Sequence, residues 1–233
     1  MADLPIKTFA SREDLARTLA GDVAARLREA IDADGAATLA VSGGSTPKRF
    51  FQVLSGADLD WRKVTVVLVD ERFVPETDER SNARLVRELL LQDSAATADF
   101  IGLYHPVTSA DEAAAKSAAV IDALARPLDV AILGMGTDGH TASFFPNGST
   151  LADALSDHPS RSVIAIEAPG AGEPRLTLTF PHLAKAGYSV LHVESDAKKA
   201  TLDAARKDGP EADMPIRAFL RRAPKAPVVY WAE

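Results

Sequence analysis

Cysteine is missing from this 233-residue chain. Its absence excludes disulfides, thiolate nucleophiles and Cys-ligated zinc, and it fits a reducing compartment. Long apolar runs are missing too, since no stretch approaches the roughly 20 residues needed to span a bilayer. Near the N-terminus Asp3, Pro5, Lys7, Arg12, Glu13 and Asp14 interrupt any apolar segment of the signal-peptide kind. Positive charge is in deficit: 26 Lys and Arg face 33 Asp and Glu, a formal net charge of -7. An acidic surface disfavours nonspecific binding to nucleic acid or anionic membranes, so neither is expected as a partner. A small anionic substrate remains open, provided basic residues converge locally. Several familiar signatures are absent as well. Lys48 does not complete Walker A spacing, and no G-x-G-x-x-G, H-E-x-x-H or G-x-S-x-G occurs. The expectation is a cytoplasmic protein, either a monomer or a small homo-oligomer.

What is present is strand–helix alternation. Leu15, Leu19, Val23, Leu27 and Ile31 recur every four residues with charges between them, the pattern of an amphipathic helix. Ala37–Val41 reads as a strand running into Ser42-Gly43-Gly44-Ser45-Thr46-Pro47, with Thr46 expected as the N-cap and Pro47 as the first residue of the next helix. Residues 64–69 read as a strand, 70–77 as a polar loop and 82–91 as a helix. Residues 110–124 form an Ala-rich helix before a strand at 130–133. Further strands are expected at 163–166, 176–180, 188–193 and 228–231, with helices at 196–206 and 215–221. This order predicts an α/β fold: a mainly parallel, Rossmann-like central sheet with helices on both faces, and room for a small additional lobe. The whole chain, 1–233, reads as a single domain. The Pro/Gly-rich segment 168–174 reads either as a mobile loop or as an ordinary surface connection.

The polar residues that are hard to explain as packing follow strands, where open α/β sheets bind ligands. Ser42 to Thr46 places glycines and hydroxyls at a helix N-terminus, a setting that favours anions. Asp70-Glu71-Arg72-Phe73-Val74-Pro75, followed by Ser81-Asn82, crowds charge behind an apolar strand; a solvated turn with internal ion pairs would look the same. Gly134-Met135-Gly136-Thr137-Asp138-Gly139-His140 sets a carboxylate two residues from an imidazole within a flexible turn. Of the five histidines only His140 has such a setting; His192 alternates within a strand and reads as a packed or surface residue. Asp138 and His140 could also donate to a divalent ion. Arg175 opens Arg-Leu-Thr-Leu-Thr-Phe. Lys198 lies in the first turn of a helix, where a cation opposes the dipole unless an anion is near; Lys199 stands beside it.

Together, the Ser42–Pro47 loop, Asp70–Pro75 with Ser81-Asn82, and Gly134 to Pro146 with its Asp-Gly-His-Thr-Ala-Ser core resemble the 6-phosphogluconolactonase family. Arg175 and Lys198 look like that family's later landmarks. Two departures stand out: Phe144 replaces a common leucine, and Ser195 stands where a glycine is frequent. Glucosamine-6-phosphate deaminases share the scaffold, but they normally carry a carboxylate just after the histidine and an Asp-Glu-Tyr where this chain has Asp70-Glu71-Arg72.

The resemblance implies hydrolysis of 6-phospho-D-glucono-1,5-lactone to 6-phospho-D-gluconate, a step of the oxidative pentose phosphate pathway, with no metal or organic cofactor. His140 would take a proton from water, with Asp138 orienting the ring. Arg72, held by Asp70, or loop N–H groups would stabilise the oxyanion. Ser42, Gly43, Gly44, Ser45, Thr46, Arg175 and Lys198 would hold the phosphate. A deaminase-like isomerase and a non-catalytic sugar-phosphate sensor are the alternatives.

Overall fold

In the computed structural model, which describes residues 4–233, apolar periodicity becomes architecture. Asp3, one of the N-terminal charges noted above, lies outside the described residues. The chain begins with a short strand β1 (Ile6–Thr8) and a long helix α1 (Arg12–Asp34). Ser11 caps α1 by accepting from the Asp14 N–H, and Gly35 ends it at φ 78, a left-handed conformation that glycine adopts without steric cost. The stripe Leu15, Leu19, Val23, Leu27 and Ile31 is buried against the sheet, each side chain contributing about 2 kcal/mol of apolar burial.

Strand β2 (Ala37–Val41) and helix α2 (Lys48–Ser55) come next, followed by β3 (Val64–Leu68), β4 (Asp70–Arg72) and α3 (Asn82–Leu89). After β5 (Asp99–Ile101) the chain forms α4 (Ala110–Asp122), β6 (Val130–Leu133) and the single-turn α5 (Leu151–Ala154). Two strands, β7 (Val163–Ile166) and β8 (Arg175–Leu178), precede α6 (Phe180–Ala184). The remainder is β9 (Tyr188–Glu194), α7 (Asp196–Ala205), α8 (Ile216–Arg222) and β10 (Val228–Ala232).

Seven strands form one parallel sheet in the order β1-β10-β9-β6-β2-β3-β5. β2 and β6 are buried along their whole length, as central strands covered on both faces must be. Strand order reverses between them: the chain moves outward through β3 to β5 on one side and through β9 and β10 on the other. That reversal leaves a crevice at the carboxyl ends of β2 and β6. The α/β class and the mainly parallel sheet agree with the sequence reading. Among the described residues no helix is long and apolar enough to cross a membrane.

Three local expectations are corrected. Residues 70–77 are not wholly loop, because Asp70–Arg72 pairs antiparallel with β8 in a small second sheet, β4-β8-β7. No pattern could show this, since the partner strand lies about a hundred residues away. The strand expected at 176–180 ends at Leu178, and Phe180 opens α6, where Pro181 occupies the first turn that tolerates its missing N–H. Finally, α2 starts at Lys48 with Pro47 as its cap residue and no side-chain cap, so Thr46 does not cap it.

Candidate active site

Loops leaving β2, β3, β6 and β9, together with the start of β8, enclose a cavity of about 310 Å³ over the crevice. That volume sits at the lower end of the range for small-molecule sites. Ser42, Gly43, Gly44, Ser45, Thr46, Asp70, Arg72, His140, Arg175 and Lys198 all line it. Asp138 does not; it stands behind the imidazole.

The β6 loop fixes the Asp–His pair. The Gly136 N–H donates to the His140 carbonyl at 2.9 Å, closing a tight turn in which Gly139 takes φ 81. Asp138 Oδ1 accepts from the His140 backbone N–H at 3.1 Å and lies 2.6 Å from its Nδ1. An ionised carboxylate only accepts, so Nδ1 donates to Asp138, and in the neutral imidazole Nε2 is then the acceptor. Phe145 lies against the ring, with centroids 4.4 Å apart and planes inclined by 31°. The His140 side chain retains 30 % exposure, enough for water to reach it. Burial pushes the Asp138 carboxyl up, but its hydrogen bond and charge interaction with His140 and the backbone N–H bonds outweigh that, and the net shift is downward. Asp138 therefore stays ionised through the neutral range. Its contribution to stability is present above the unfolded-state value near about 3.9 and is lost as pH falls through the depressed folded value.

A second wall carries paired cations. The β4–β8 register places Arg72 directly opposite Arg175. Like charges opposite one another on a ladder repel, and here each guanidinium also keeps a buried Nε without a partner. Burial, and then the Arg72 charge, hold the Arg175 pKa below its ordinary value, opposed by Asp70, Glu173 and Glu71. An anion between the two arginines would relieve the repulsion and satisfy the orphan donors. Arg175 also reaches back to the Ala171 carbonyl at 2.5 Å, while Glu173 pairs with Arg80 at 2.9 Å. These bonds tie the 168–174 segment to the cavity rim.

The glycine loop adjoins that wall through Asn82. Gly44 takes φ 89, and the N–H groups of Gly43, Gly44, Ser45 and Thr46 have no backbone acceptor among the described residues. Ser42 differs, because its N–H and its hydroxyl both donate to the Ile132 carbonyl, at 3.1 and 3.0 Å. It joins β2 to β6 and has no hydroxyl donor to spare. Lys198 Nζ donates to Thr46 Oγ1 at 3.0 Å, whereas Lys199 is paired with Asp203 at 2.7 Å. The structure thus turns Lys198 toward the loop and Lys199 away from it. Ser195 holds the turn before them at φ 85 and ψ 151, a backbone region used almost only by glycine. Its N–H bond to the Ala232 carbonyl at 3.0 Å helps to keep it there.

One expected pairing does not form. Asp70 does not hold Arg72; its Oδ2 accepts from the Ser143 hydroxyl at 2.6 Å. Arg72 is held instead by Asn82 Oδ1 at 3.1 Å and by the Arg80 carbonyl. The partners each side chain takes instead, Ser143 for Asp70 and Asn82 with Arg80 for Arg72, come from other segments of the chain.

Sequence reasoning also missed contributors. Phe145, Asn82 and His192 line the cavity. His192 is packed, as expected for one of its two readings, with 2 % of its side chain exposed and Nε2 3.1 Å from Glu194 Oε1. The adjacency of Ser81-Asn82 to the charged loop was the available signal for Asn82; nothing local marked the other two. Among the described residues no group of three or more His, Asp or Glu is placed to hold a metal ion.

Comparison with known proteins identifies the family. The sequence profile of the glucosamine-6-phosphate isomerases/6-phosphogluconolactonase family matches residues 10–231. A 6-phosphogluconolactonase of Rhizobium meliloti (strain 1021) is 57% identical over 224 residues, 96% of this chain and 97% of that protein. One from Mesorhizobium japonicum is 49% identical over 96% of this chain and 93% of its own length. The crystal structure of a 6-phosphogluconolactonase from Shewanella baltica OS155 superposes with a TM-score of 0.96 at 37% identity, covering 100% of this chain and 99% of that one. The chain belongs to the glucosamine-6-phosphate isomerase/6-phosphogluconolactonase family, and within it to the 6-phosphogluconolactonase enzymes.

Proposed function

We propose that this enzyme hydrolyses 6-phospho-D-glucono-1,5-lactone to 6-phospho-D-gluconate with His140 as general base. The observation that carries the reading is an imidazole whose Nδ1 lies 2.6 Å from Asp138 Oδ1, in the same cavity as Arg72, Arg175 and Lys198. Nε2 accepts a proton from water as the oxygen attacks C1. The carbonyl becomes an oxyanion beside Arg72. When the C1–O5 bond breaks, imidazolium returns the proton to O5, and the open-chain acid ionises. Lys198, the free N–H groups of Gly43 to Thr46 and Arg175 hold the phosphate, so that the lactone meets water in one orientation.

The direct test is acid release from freshly prepared lactone, measured above the spontaneous rate, with and without EDTA. Acid is expected in both arms. Ammonia or a ketose from the corresponding amino-sugar phosphate would favour the deaminase reading, which Thr141-Ala142-Ser143-Phe144-Phe145 opposes by holding no carboxylate. Tight binding without turnover would favour a sensor.

A pH test addresses Lys198. Burial lowers its pKa, opposed by Glu194. A bound phosphate would raise it again, so binding must take up a proton once pH exceeds the lowered value. Affinity for 6-phosphogluconate, read by calorimetry, is therefore expected to weaken before the ordinary lysine range near about 10.4 is reached. Lys198→Ala should bind more weakly throughout, raise KM more than it lowers kcat, and lose that part of the slope. An unchanged slope in the variant would remove Lys198 from the phosphate site.

A further inference from the structure

Asn82 is a buried amide that the mechanism above does not use, and three independent contacts converge on it. Its Oδ1 accepts from Arg72 Nη1 at 3.1 Å. Its Nδ2 donates to the Asp70 carbonyl at 2.8 Å. Its side chain also occupies the space that a side chain at residue 43 would need: a Cβ built on Gly43 would lie 1.8 Å from Asn82 Oδ1 and 2.2 Å from its Cγ. Gly43 is thus required by its neighbour, whereas Gly44 is favoured by its own left-handed backbone.

The amide is itself rigidly placed. Glu71, with no exposed surface, accepts from the backbone N–H groups of Arg72, Asn82 and Ala83 and from the Ser81 hydroxyl, all within 2.7–3.0 Å. One carboxylate therefore fixes the backbone under both Arg72 and Asn82. Asn82 then fixes the guanidinium at its far end, while Nε stays unpartnered. A long arginine side chain loses much rotamer freedom when it is fixed, and opposite Arg175 its charge is repelled. Without Asn82, only the Arg80 carbonyl would remain to hold it.

We propose that Asn82 is a positioning residue for the reaction: it holds the Arg72 guanidinium at the oxyanion position and sets the spacing between the β3 loop and the glycine loop. The proposal rests on the lactonase reading and on Arg72 acting at the oxyanion.

A double-mutant cycle in acid release from 6-phosphogluconolactone tests it, using Arg72→Met, Asn82→Ala and the pair, with thermal unfolding as the folding control. Arg72→Met is expected to lower kcat by about 10²–10³-fold, the scale of one lost oxyanion donor. Asn82→Ala should lower kcat by about 10–10²-fold, the scale of a misplaced group, with a smaller change in KM. In the double variant kcat should match Arg72→Met within about twofold, because nothing is left to position. Losses that multiply would overturn the proposal while sparing the role of Arg72, and would mean direct substrate contact or a purely structural role. A near-normal kcat in Arg72→Met would remove both. If Asn82→Ala does not fold, Asn82→Ser, too short to reach the guanidinium, carries the same cycle.

Discussion

Replacing His140 with asparagine is expected to lower kcat by about 10²–10⁴-fold, the usual contribution of a general base, in a protein that unfolds at the wild-type temperature. Asparagine is the informative choice. Its amide can still donate to Asp138 Oδ1, which now lies 2.6 Å from Nδ1, so the carboxylate is not left unpaired in a half-buried place. What disappears is the basic lone pair of Nε2. The loss should fall on kcat, with KM moving little, because phosphate binding is assigned to other residues across the same cavity. Residual turnover above the spontaneous rate is expected from Arg72 and from orientation alone. Near-normal kcat in this variant would take His140 out of the mechanism, whatever the fate of the lactonase assignment.

Gly136→Ala is expected to separate activity from stability. A Cβ at residue 136 would lie 2.2 Å from His140 Cε1, 2.3 Å from its Nδ1 and 2.6 Å from Asp138 Oδ1. Nothing else is that close, so the added methyl group must displace the Asp–His pair. A displacement of about 1 Å at reacting groups can cost about 10²-fold in rate. Stability should change little, because a gain and a loss oppose one another. Gly136 is not among the residues with a left-handed φ, and Gly→Ala at a compatible backbone reduces the entropy of the unfolded chain, a gain of about 0.4–1 kcal/mol. Repacking of the exposed part of the imidazole would offset some of that. The checks are kcat from acid release and midpoint from thermal unfolding on the same preparation. A variant with wild-type kcat would show that the pair need not sit where Gly136 allows it.

Asn82 and Arg72 show where the sequence ran out. The charged loop after β3 was visible, and so was the Ser81-Asn82 step, but the expected hold of Asp70 on Arg72 was wrong. Asp70 found Ser143, 73 positions along the chain, and Arg72 found Asn82. Choosing between those partners depends on the β4–β8 register. Lys198 against Lys199 is the same problem on a helix: adjacent residues point about 100° apart, and only the packing of α7 beside the glycine loop decides which one meets Thr46, 152 positions away. The packed and surface readings of His192 stayed open until β9 was set between β6 and β10 and its side chain was buried.

Local chemistry was settled by the chain itself. Apolar periodicity marked α1, because burial of one face repeats at the period of the backbone, and short continuous apolar runs marked the strands buried on both faces. Glycines marked the turns, although the cap expected at Thr46 did not form, and Asp138 and His140, two apart in a tight turn, could scarcely avoid each other. Tertiary structure alone decided which cations face the anion cavity, which partner Asp70 takes, and that Arg72 lies opposite Arg175. Those contacts join segments from distant parts of the chain, and their geometry exists only once strand order and register are fixed.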